Sequence, residues 1–464
     1  MKEKRTLDSY NEMPVLKAVL LNALPAIAAM LMTLIYNLAD TYFIGKTNDA
    51  YQVAAVSLAT PLFMIFMTVG TVFGIGGTAL ISRSFGEGKN DLAKKASSFC
   101  MWGSVVSGIL LYILIIIFKE NLLTLLGASE MTRKFTDTYL TIVFVSGPFA
   151  VISGCFSNIL RSEGQAGKAM TGQILGNVLN MCLDAVLIMV FHMGIVGCAV
   201  ATLIGEIAGA LYYIVYLMRG TSALSIRIND FSMGEGILRN VFVIGFPAAL
   251  GSLLMSVSSM VLNGMMAQYG DMAVAGIGVA AKISMITGMI SLGVGQGIQP
   301  LLGYAVGANN WTRFKKTMNV SLALATLIGC VMTAFCYLFM SRIAGAFLTD
   351  LEALDYAVNF CRVAIITGPL FGIYYVTINA IQSMGAGRES LIINVSRQGF
   401  IYIPVLFLMN AFFGITGLVW AQPIADITSL ALAMFLYSMV YKRLTSEDIS
   451  TVNLERARTS LVNI

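Results

Sequence analysis

The chain has 464 residues, of which 57% are hydrophobic and only 11% are charged. Soluble domains carry about 25% charged residues, so this composition excludes a soluble globular protein and indicates an integral membrane protein. The formal net charge of +5 arises from basic connections between apolar segments. It therefore favours contact with the headgroups of a lipid bilayer over contact with nucleic acid.

Twelve apolar segments are each long enough to cross about 30 Å of hydrocarbon as a helix. They lack the short alternating pattern of membrane β-strands, so we expect an all-α integral membrane protein with twelve transmembrane helices. In chain order, the predicted spans cover residues 16–45, 52–82, 96–118, 135–160, 168–191, 194–218, 239–268, 273–303, 316–340, 357–384, 390–412 and 415–441.

The basic residues of the connections indicate the orientation of these spans. An even number of spans places both termini on one side, and a cytoplasmic N-terminus puts most basic residues inside. The first apolar run is too long for the core of a signal peptide, so we expect a retained span. Under this orientation, 22 of the 29 Lys and Arg residues are inside, and the other seven are Lys46, Lys119, Arg133, Lys134, Lys282, Arg342 and Arg362.

The sequence matches itself when it is shifted by about 221 residues. GIVG at 194–197 answers GITG at 414–417, and the Gly-Pro pair at 147–148 answers Gly-Pro at 368–369. Such matches recur in order across six spans, which indicates two repeated six-span units. Because an even span count gives both units one orientation, we expect two six-helix bundles. A pseudo-twofold axis along the membrane normal would relate them, with a central cleft between.

The repeat divides the chain into four predicted regions. They are an N-terminal bundle at 1–218, a cytoplasmic linker at 219–238, a C-terminal bundle at 239–442 and a cytoplasmic tail at 443–464. Polar residues at matching positions of both units are expected to be structural. Those present in one unit only are candidates for function.

Four polar residues of the first unit align with residues of a different type in the second. At 1.5 Å per residue, Asp40, Asp184 and Thr202 each lie roughly 8–12 Å below the outer surface. Asn180 precedes Asp184 by one helical turn and shares its face, so we expect the four side chains to converge. Asp40 aligns with Leu262, Asp184 with Pro404 or Val405, Asn180 with Phe400 or Ile401, and Thr202 with Gln422.

The chemistry of such a cluster follows from its two carboxylates. In a medium of low dielectric constant, two neighbouring carboxylates do not both ionise cheaply, so the pair takes up a proton or captures a cation. An oxygen-rich cluster suits Na⁺ as well as H⁺. Its occupancy would change the charge of the bundle and bias one conformation over another. A structural pair of hydrogen-bonded side chains is the alternative interpretation.

Other side chains within the spans are candidates for a substrate cavity. Glu206 follows Thr202 by one turn but aligns with Asp426, which favours a structural role, with a cavity role as the alternative. The opening spans of the second unit contain six methionines, whose sulfur side chains give an adaptable lining for varied guests. Ordinary packing or lipid contact explains any one of them equally well. The candidates for the lining are Met255, Met260, Met285 and Met289.

Several chemically notable residues have structural interpretations. The seven cysteines lack a CxxC pair, so we expect small buried side chains and not disulfides or a metal cluster. The glycines of GIGG (74–77) and GVGQG (293–297) lie mid-helix with no GK[ST] ending, which predicts close helix packing and not a phosphate loop. Arg161, Glu163 and Arg397 lie at inner ends of spans, where contacts with headgroups or linkers are expected.

At several places the sequence resembles one transporter family. These are NLADTYFIGK at 37–46, ILRSEGQAGKAM at 159–170, NVLNMCLDAVLI at 177–188 and Pro25 near the start of span 1. Together with the six-plus-six repeat, they resemble the multidrug and toxic compound extrusion (MATE) family. The similarity covers essentially all twelve spans and is nearest to the bacterial MepA-like and DinF-like branches.

The resemblance implies export of amphipathic, often cationic compounds in exchange for H⁺ or Na⁺ by alternating access. It also implies a monomer in a bacterial inner membrane, with both termini cytoplasmic. Residues 368–382 contain no acid, so ion coupling is expected in the first bundle only. The family's ion-coupling site carries over to Asp40, Asn180, Asp184 and Thr202, which would be the metal ligands for Na⁺. Its polar cavity groups carry over to Tyr36, Asn37, Tyr139 and Asn158, and its helix hinge to Pro25.

Two other functions remain as alternatives. A lipid-linked oligosaccharide flippase of the same wider superfamily would favour a strongly cationic cleft for pyrophosphate. The few basic residues within the spans argue against it. An enzyme would need a nucleophile or metal constellation, and the sequence has one histidine, no HExxH motif and no P-loop. We therefore expect a transporter that uses no cofactor and binds neither nucleotide nor nucleic acid.

Overall fold

A computed structural model describes residues 12–47, 49–220, 222–348 and 350–462. Within these ranges the chain forms the predicted twelve transmembrane helices, arranged in two bundles of six. Helix α2 begins where the side chain of Asp49 accepts a hydrogen bond from the Tyr51 amide. The helices of the first bundle are α1 (Val15–Gly45), α2 (Ala50–Gly86), α3 (Asn90–Ile117), α4 (Glu130–Ser162), α5 (Ala166–Val190) and α6 (Gly194–Met218), with a short helix Lys119–Leu125 between α3 and α4.

The second bundle repeats the helix order of the first. Helix α10 consists of two segments bent by 48°. Gly414 separates α11 from α12 with a φ of 58°, and Gly194 makes the equivalent corner between α5 and α6 with a φ of 54°. The helices are α7 (Ile237–Tyr269), α8 (Asp271–Gly307), α9 (Trp311–Gly345), α10 (Leu351–Ala364 with Gly368–Ser383), α11 (387–413) and α12 (415–462).

The connection between the bundles lies against the first bundle. The carboxylate of Glu163 accepts hydrogen bonds from the Ser222 hydroxyl at 2.6 Å and from the Ala223 amide at 3.0 Å. Trp102 on α3 donates its indole N–H to the carbonyl of Ile226 at 3.2 Å. The predicted linker contact of Glu163 is therefore confirmed.

The two bundles touch on the side of the membrane where α1 begins. A Cβ placed on Gly76 of α2 would overlap the carbonyl of Val241 on α7. On α8, a Cβ placed on Gly293 would lie 2.8 Å from the Cα of Ile27 on α1. Helix backbones approach this closely only where side chains are minimal. The predicted packing role of both glycine-rich segments is confirmed.

On the opposite side the corresponding glycines of the second bundle make no such close approach. Cβ atoms placed on Gly264 and Gly278, toward the other ends of α7 and α8, would meet no atom within 4 Å. The close glycine contacts between the bundles therefore lie on the side predicted to be cytoplasmic.

Candidate functional site

Helices α1, α5 and α6 bring the four predicted ion-coupling residues together. Asp184 is the last α-helical residue of α5 before a π-helical turn, and its side chain is fully buried. One turn earlier, the side-chain amide of Asn180 donates a hydrogen bond to the Thr202 hydroxyl of α6 at 3.2 Å. Asp40 reaches this group from α1. The structure thus brings together the four residues that the repeat comparison and the depth count singled out, and their role in ion coupling stays a prediction.

Cys198 is a fifth member that the sequence analysis missed. Its thiol donates a hydrogen bond to the carboxylate of Asp40 at 3.1 Å. It also precedes Thr202 by one turn of α6, and the Thr202 hydroxyl donates to the Cys198 carbonyl at 3.1 Å. Its position aligns with Leu418, so the comparison that singled out Asp40 would have found it.

The two carboxyl groups lie close together in a largely enclosed place. One oxygen each of Asp40 and Asp184 and the sulfur of Cys198 lie within 4.8 Å of one another. In the described part of the chain, neither carboxylate forms an ion pair. Neither oxygen of Asp184 receives a hydrogen bond from an N–H or O–H group there. A buried and a half-buried acid this close together, without a basic partner, favour uptake of a proton or a cation between them.

The donor set fits H⁺ or Na⁺. The carboxylate oxygens of Asp184 and the side-chain carbonyl oxygen of Asn180 are buried and receive no hydrogen bond from an N–H group or a hydroxyl among the described residues. Oxygen donors of this kind suit a hard cation. The thiol of Cys198 is a soft donor, and its role here is to hold Asp40.

A cavity of about 120 Å³ lies beside this cluster in the first bundle. It shares Asn180 and Thr202 with the cluster and extends toward Glu206. The side-chain amide of Gln173 donates to the Thr33 hydroxyl at 2.8 Å in its wall. Further lining residues are Tyr36, Ser153, Asn177 and Tyr213.

Three residues predicted for the cavity lie outside its lining. Tyr139 is buried behind the cluster, next to the thiol of Cys198. Asn158 donates to the Gly154 carbonyl at 2.9 Å and accepts from Arg161 at 3.2 Å. Asn37 lies on α1, one turn before Thr41.

A separate cavity of about 200 Å³ is lined mainly by the second bundle, including Met255, and also by Thr71 and Ile75 of α2. Met260 is 71% exposed. Met285 and Met289 lie outside this lining, on the part of α8 that precedes its lining residue Leu292. Arg397 also lines the cavity. Its predicted contact with headgroups is wrong, because it is buried and its Nε lies 2.9 Å from a carboxylate oxygen of Asp426.

Pro25 lies inside α1, which continues as a helix from Val15–Gly45 through it. A proline in a helix removes one hydrogen bond and weakens that turn. Ala23 and Ile27, on either side of it, contact Gly297 and Gly293 of α8. The hinge role of Pro25 stays a prediction.

Comparison with known proteins identifies relatives of the chain. The MatE family model matches residues 25–186 and 247–408, once in each bundle. The multidrug export protein MepA of Staphylococcus aureus (strain MSSA476) is 32% identical over 436 residues, which is 94% of this chain and 96% of that protein. MepA of Staphylococcus saprophyticus has the same identity and coverage.

Solved structures share the fold. An outward-facing multidrug resistance MATE family transporter of the MOP superfamily has a TM-score of 0.90 and 23% identity, covering 96% of this chain and 99% of its own. A MOP superfamily transporter from Pyrococcus furiosus has a TM-score of 0.87 and 23% identity, covering 93% and 98% of the two chains.

Proposed function

The chain belongs to the MATE family, and on that premise we propose that it is a secondary active multidrug efflux antiporter. It exports amphipathic, often cationic compounds in exchange for H⁺ or Na⁺. It acts as a monomer in a bacterial inner membrane with both termini in the cytoplasm. The two bundles are its lobes, N-terminal at 1–218 and C-terminal at 239–442, and residues 219–238 link them.

The observation that carries this proposal is the carboxyl pair of Asp40 and Asp184. Both acids lie in a lipid-embedded bundle, where an ionised side chain costs about 2.5–3.5 kcal/mol on insertion scales. Neither has a basic partner among the described residues. Taking up a proton or a sodium ion removes that cost, so ion occupancy changes the relative stability of the lobe's conformations.

The arrangement of the bundles supports alternating access. The lobes touch along the glycine contacts between α2 and α7 and between α1 and α8. Rocking about this region would separate the lobes on the side where they touch and bring them together on the opposite side. A coupling ion that binds one conformation more tightly shifts the equilibrium by that difference in affinity.

The C-lobe cavity argues against the flippase alternative. A pyrophosphate-linked substrate calls for unpaired positive charge in the cleft. The guanidinium of Arg397 is already paired with Asp426. The antiporter is therefore the only function we propose.

Dye efflux from proteoliposomes under separate gradients tests the proposal. Proteoliposomes that contain the purified protein are loaded with a cationic dye, and either a pH gradient or a Na⁺ gradient is imposed. One gradient should drive efflux and the other should not, while protein-free liposomes show only leak. Equal dye movement with and without either gradient would overturn ion-coupled antiport.

A further inference from the structure

The repeat allows each buried acid of one lobe to be compared with its counterpart in the other. Gly194 and Gly414 both have a positive φ at the corner before the last span of each lobe, which fixes the register. In this register Glu206 on α6 corresponds to Asp426 on α12. The two acids therefore occupy equivalent places in the two bundles.

In the C-lobe this acid is neutralised by the protein itself. Asp426 accepts from Arg397 at 2.9 Å, and both side chains are less than one-tenth exposed. The guanidinium carbon lies 5.1, 4.7 and 5.7 Å from the ring centroids of Phe371, Tyr374 and Tyr375. Such contacts stabilise a planar cation through charge pairing and cation–π attraction.

At the equivalent positions of the N-lobe the side chains are smaller and uncharged. Gly176 or Asn177 stands where the C-lobe has Arg397, in the registers of 221 and 220 residues, and both line the cavity. In the register of the Gly-Pro pairs, the three rings are replaced by Ala150, Ser153 and Gly154. The result is the cavity of about 120 Å³, lined by Ser153, Gly154, Asn177 and Glu206.

Several acceptor oxygens in the lining of this cavity receive no hydrogen bond from the described residues. Glu206 forms neither a hydrogen bond nor an ion pair with any residue that the structure describes. The side-chain oxygens of Ser153, Gln173 and Asn180 are also buried without a partner in those ranges. Asn180 is only 3% exposed. Buried acceptors cost free energy until a donor reaches them, and a carboxylate costs the most.

We propose that the Glu206 cavity binds a planar cation, the guanidinium or amidinium group of an exported molecule, in the place that Arg397 fills in the C-lobe. The carboxylate of Glu206 pairs with the charge, and the oxygens of Ser153, Gln173 and Asn180 accept its N–H groups. This inference rests on the proposed export function. It also separates the acid that holds the substrate from the Asp40–Asp184 pair that holds the coupling ion.

Binding of benzamidine to the purified full-length protein tests the inference, with benzamide as the uncharged ligand of nearly equal shape. Calorimetry should show benzamidine binding at least about tenfold more tightly than benzamide, as expected for a charge-assisted hydrogen bond. Glu206→Gln should remove this preference and leave benzamide binding unchanged. Glu120→Gln is the matched control, because Glu120 is exposed and paired with Arg133.

A second variant adds an internal cation. Asn177→Arg places a guanidinium opposite Glu206 and should also abolish the preference for benzamidine, even if Glu206→Gln were poorly folded. Full benzamidine preference in both variants would overturn the inference. The assay needs no ion gradient, so its outcome is separate from failure of the dye antiport experiment.

Discussion

The thiol of Cys198 donates a hydrogen bond to the carboxylate of Asp40 at 3.1 Å, and so joins α6 to α1. A donor fixes the carboxylate's position and stabilises its charged form. We predict that Cys198→Val, which removes the donor at similar volume, changes the ion concentration for half-maximal efflux by about tenfold. Proteoliposome efflux over a series of ion concentrations measures this shift.

Cys198→Ser is the matched control for that substitution. The serine hydroxyl keeps a donor at the same position, so its half-maximal ion concentration should stay within about threefold of the natural protein. Equal shifts in the serine and valine variants would show that the hydrogen bond does not set ion affinity.

Neutralising either carboxyl group should abolish ion-driven export. In Asp40→Asn or Asp184→Asn the pair has lost one acid, so ion uptake no longer changes its charge in the same way. Ion-driven uptake of a cationic dye into everted vesicles should fall to the level of vesicles lacking the protein. Expression should be unchanged, and Asp137→Asn, at a half-buried ion pair with Lys119 outside the cluster, is the control.

Unimpaired transport by both aspartate variants would refute the coupling assignment. Loss in only one would show that a single carboxyl group carries the ion. The Asp137→Asn control should transport normally, because that aspartate lies outside the cluster.

Much of the fold and of the ion site follows from the sequence for a simple physical reason. Membrane helices have fixed length and rise, so counting residues from span ends gives the depth of Asp40, Asp184 and Thr202. The repeat then removes polar residues common to both bundles. The hydrogen bond between Asn180 and Thr202 shows that the count also placed neighbouring helices at the same level.

The environment of each acid did not follow from the sequence. Glu206 and Asp426 align, yet Asp426 is paired with Arg397 and Glu206 lines a cavity. The difference depends on Arg397 and on rings from α10, which are distant in sequence and meet Asp426 only in the fold. The contact of Cys198 with Asp40 was not predicted either, because a thiol within an apolar span is usually a small buried packing residue.

The glycine contacts between the lobes should control the conformational equilibrium. In Gly76→Ala the new methyl group meets the carbonyl of Val241, and overpacking costs about 1–3 kcal/mol. The closed contact is thereby destabilised, and the population should shift toward the state that is closed on the opposite side. Tyr51 and Leu351 are exposed at the ends of the two lobes that lie opposite the glycine contacts. Spin labels at these two positions should therefore move closer together.

Gly278→Ala is the control for this substitution, because a Cβ there meets no atom within 4 Å. Its label distances should match those of the natural protein. Identical distance distributions in the Gly76→Ala and Gly278→Ala variants would show that this contact does not hold the lobes together.

Met255 should influence which compounds are exported more than how fast they are exported. Its side chain is 50% exposed and lines the C-lobe cavity, where sulfur contacts an aromatic guest with about 0.3–1.5 kcal/mol. Met255→Leu should therefore change the ratio of half-saturating concentrations for an aromatic and an aliphatic cation by about two- to tenfold. Maximal efflux should change less. Met266→Leu, at a fully buried position in the hydrophobic core, should leave the ratio unchanged, and an equal change for both cations in Met255→Leu would contradict a lining role.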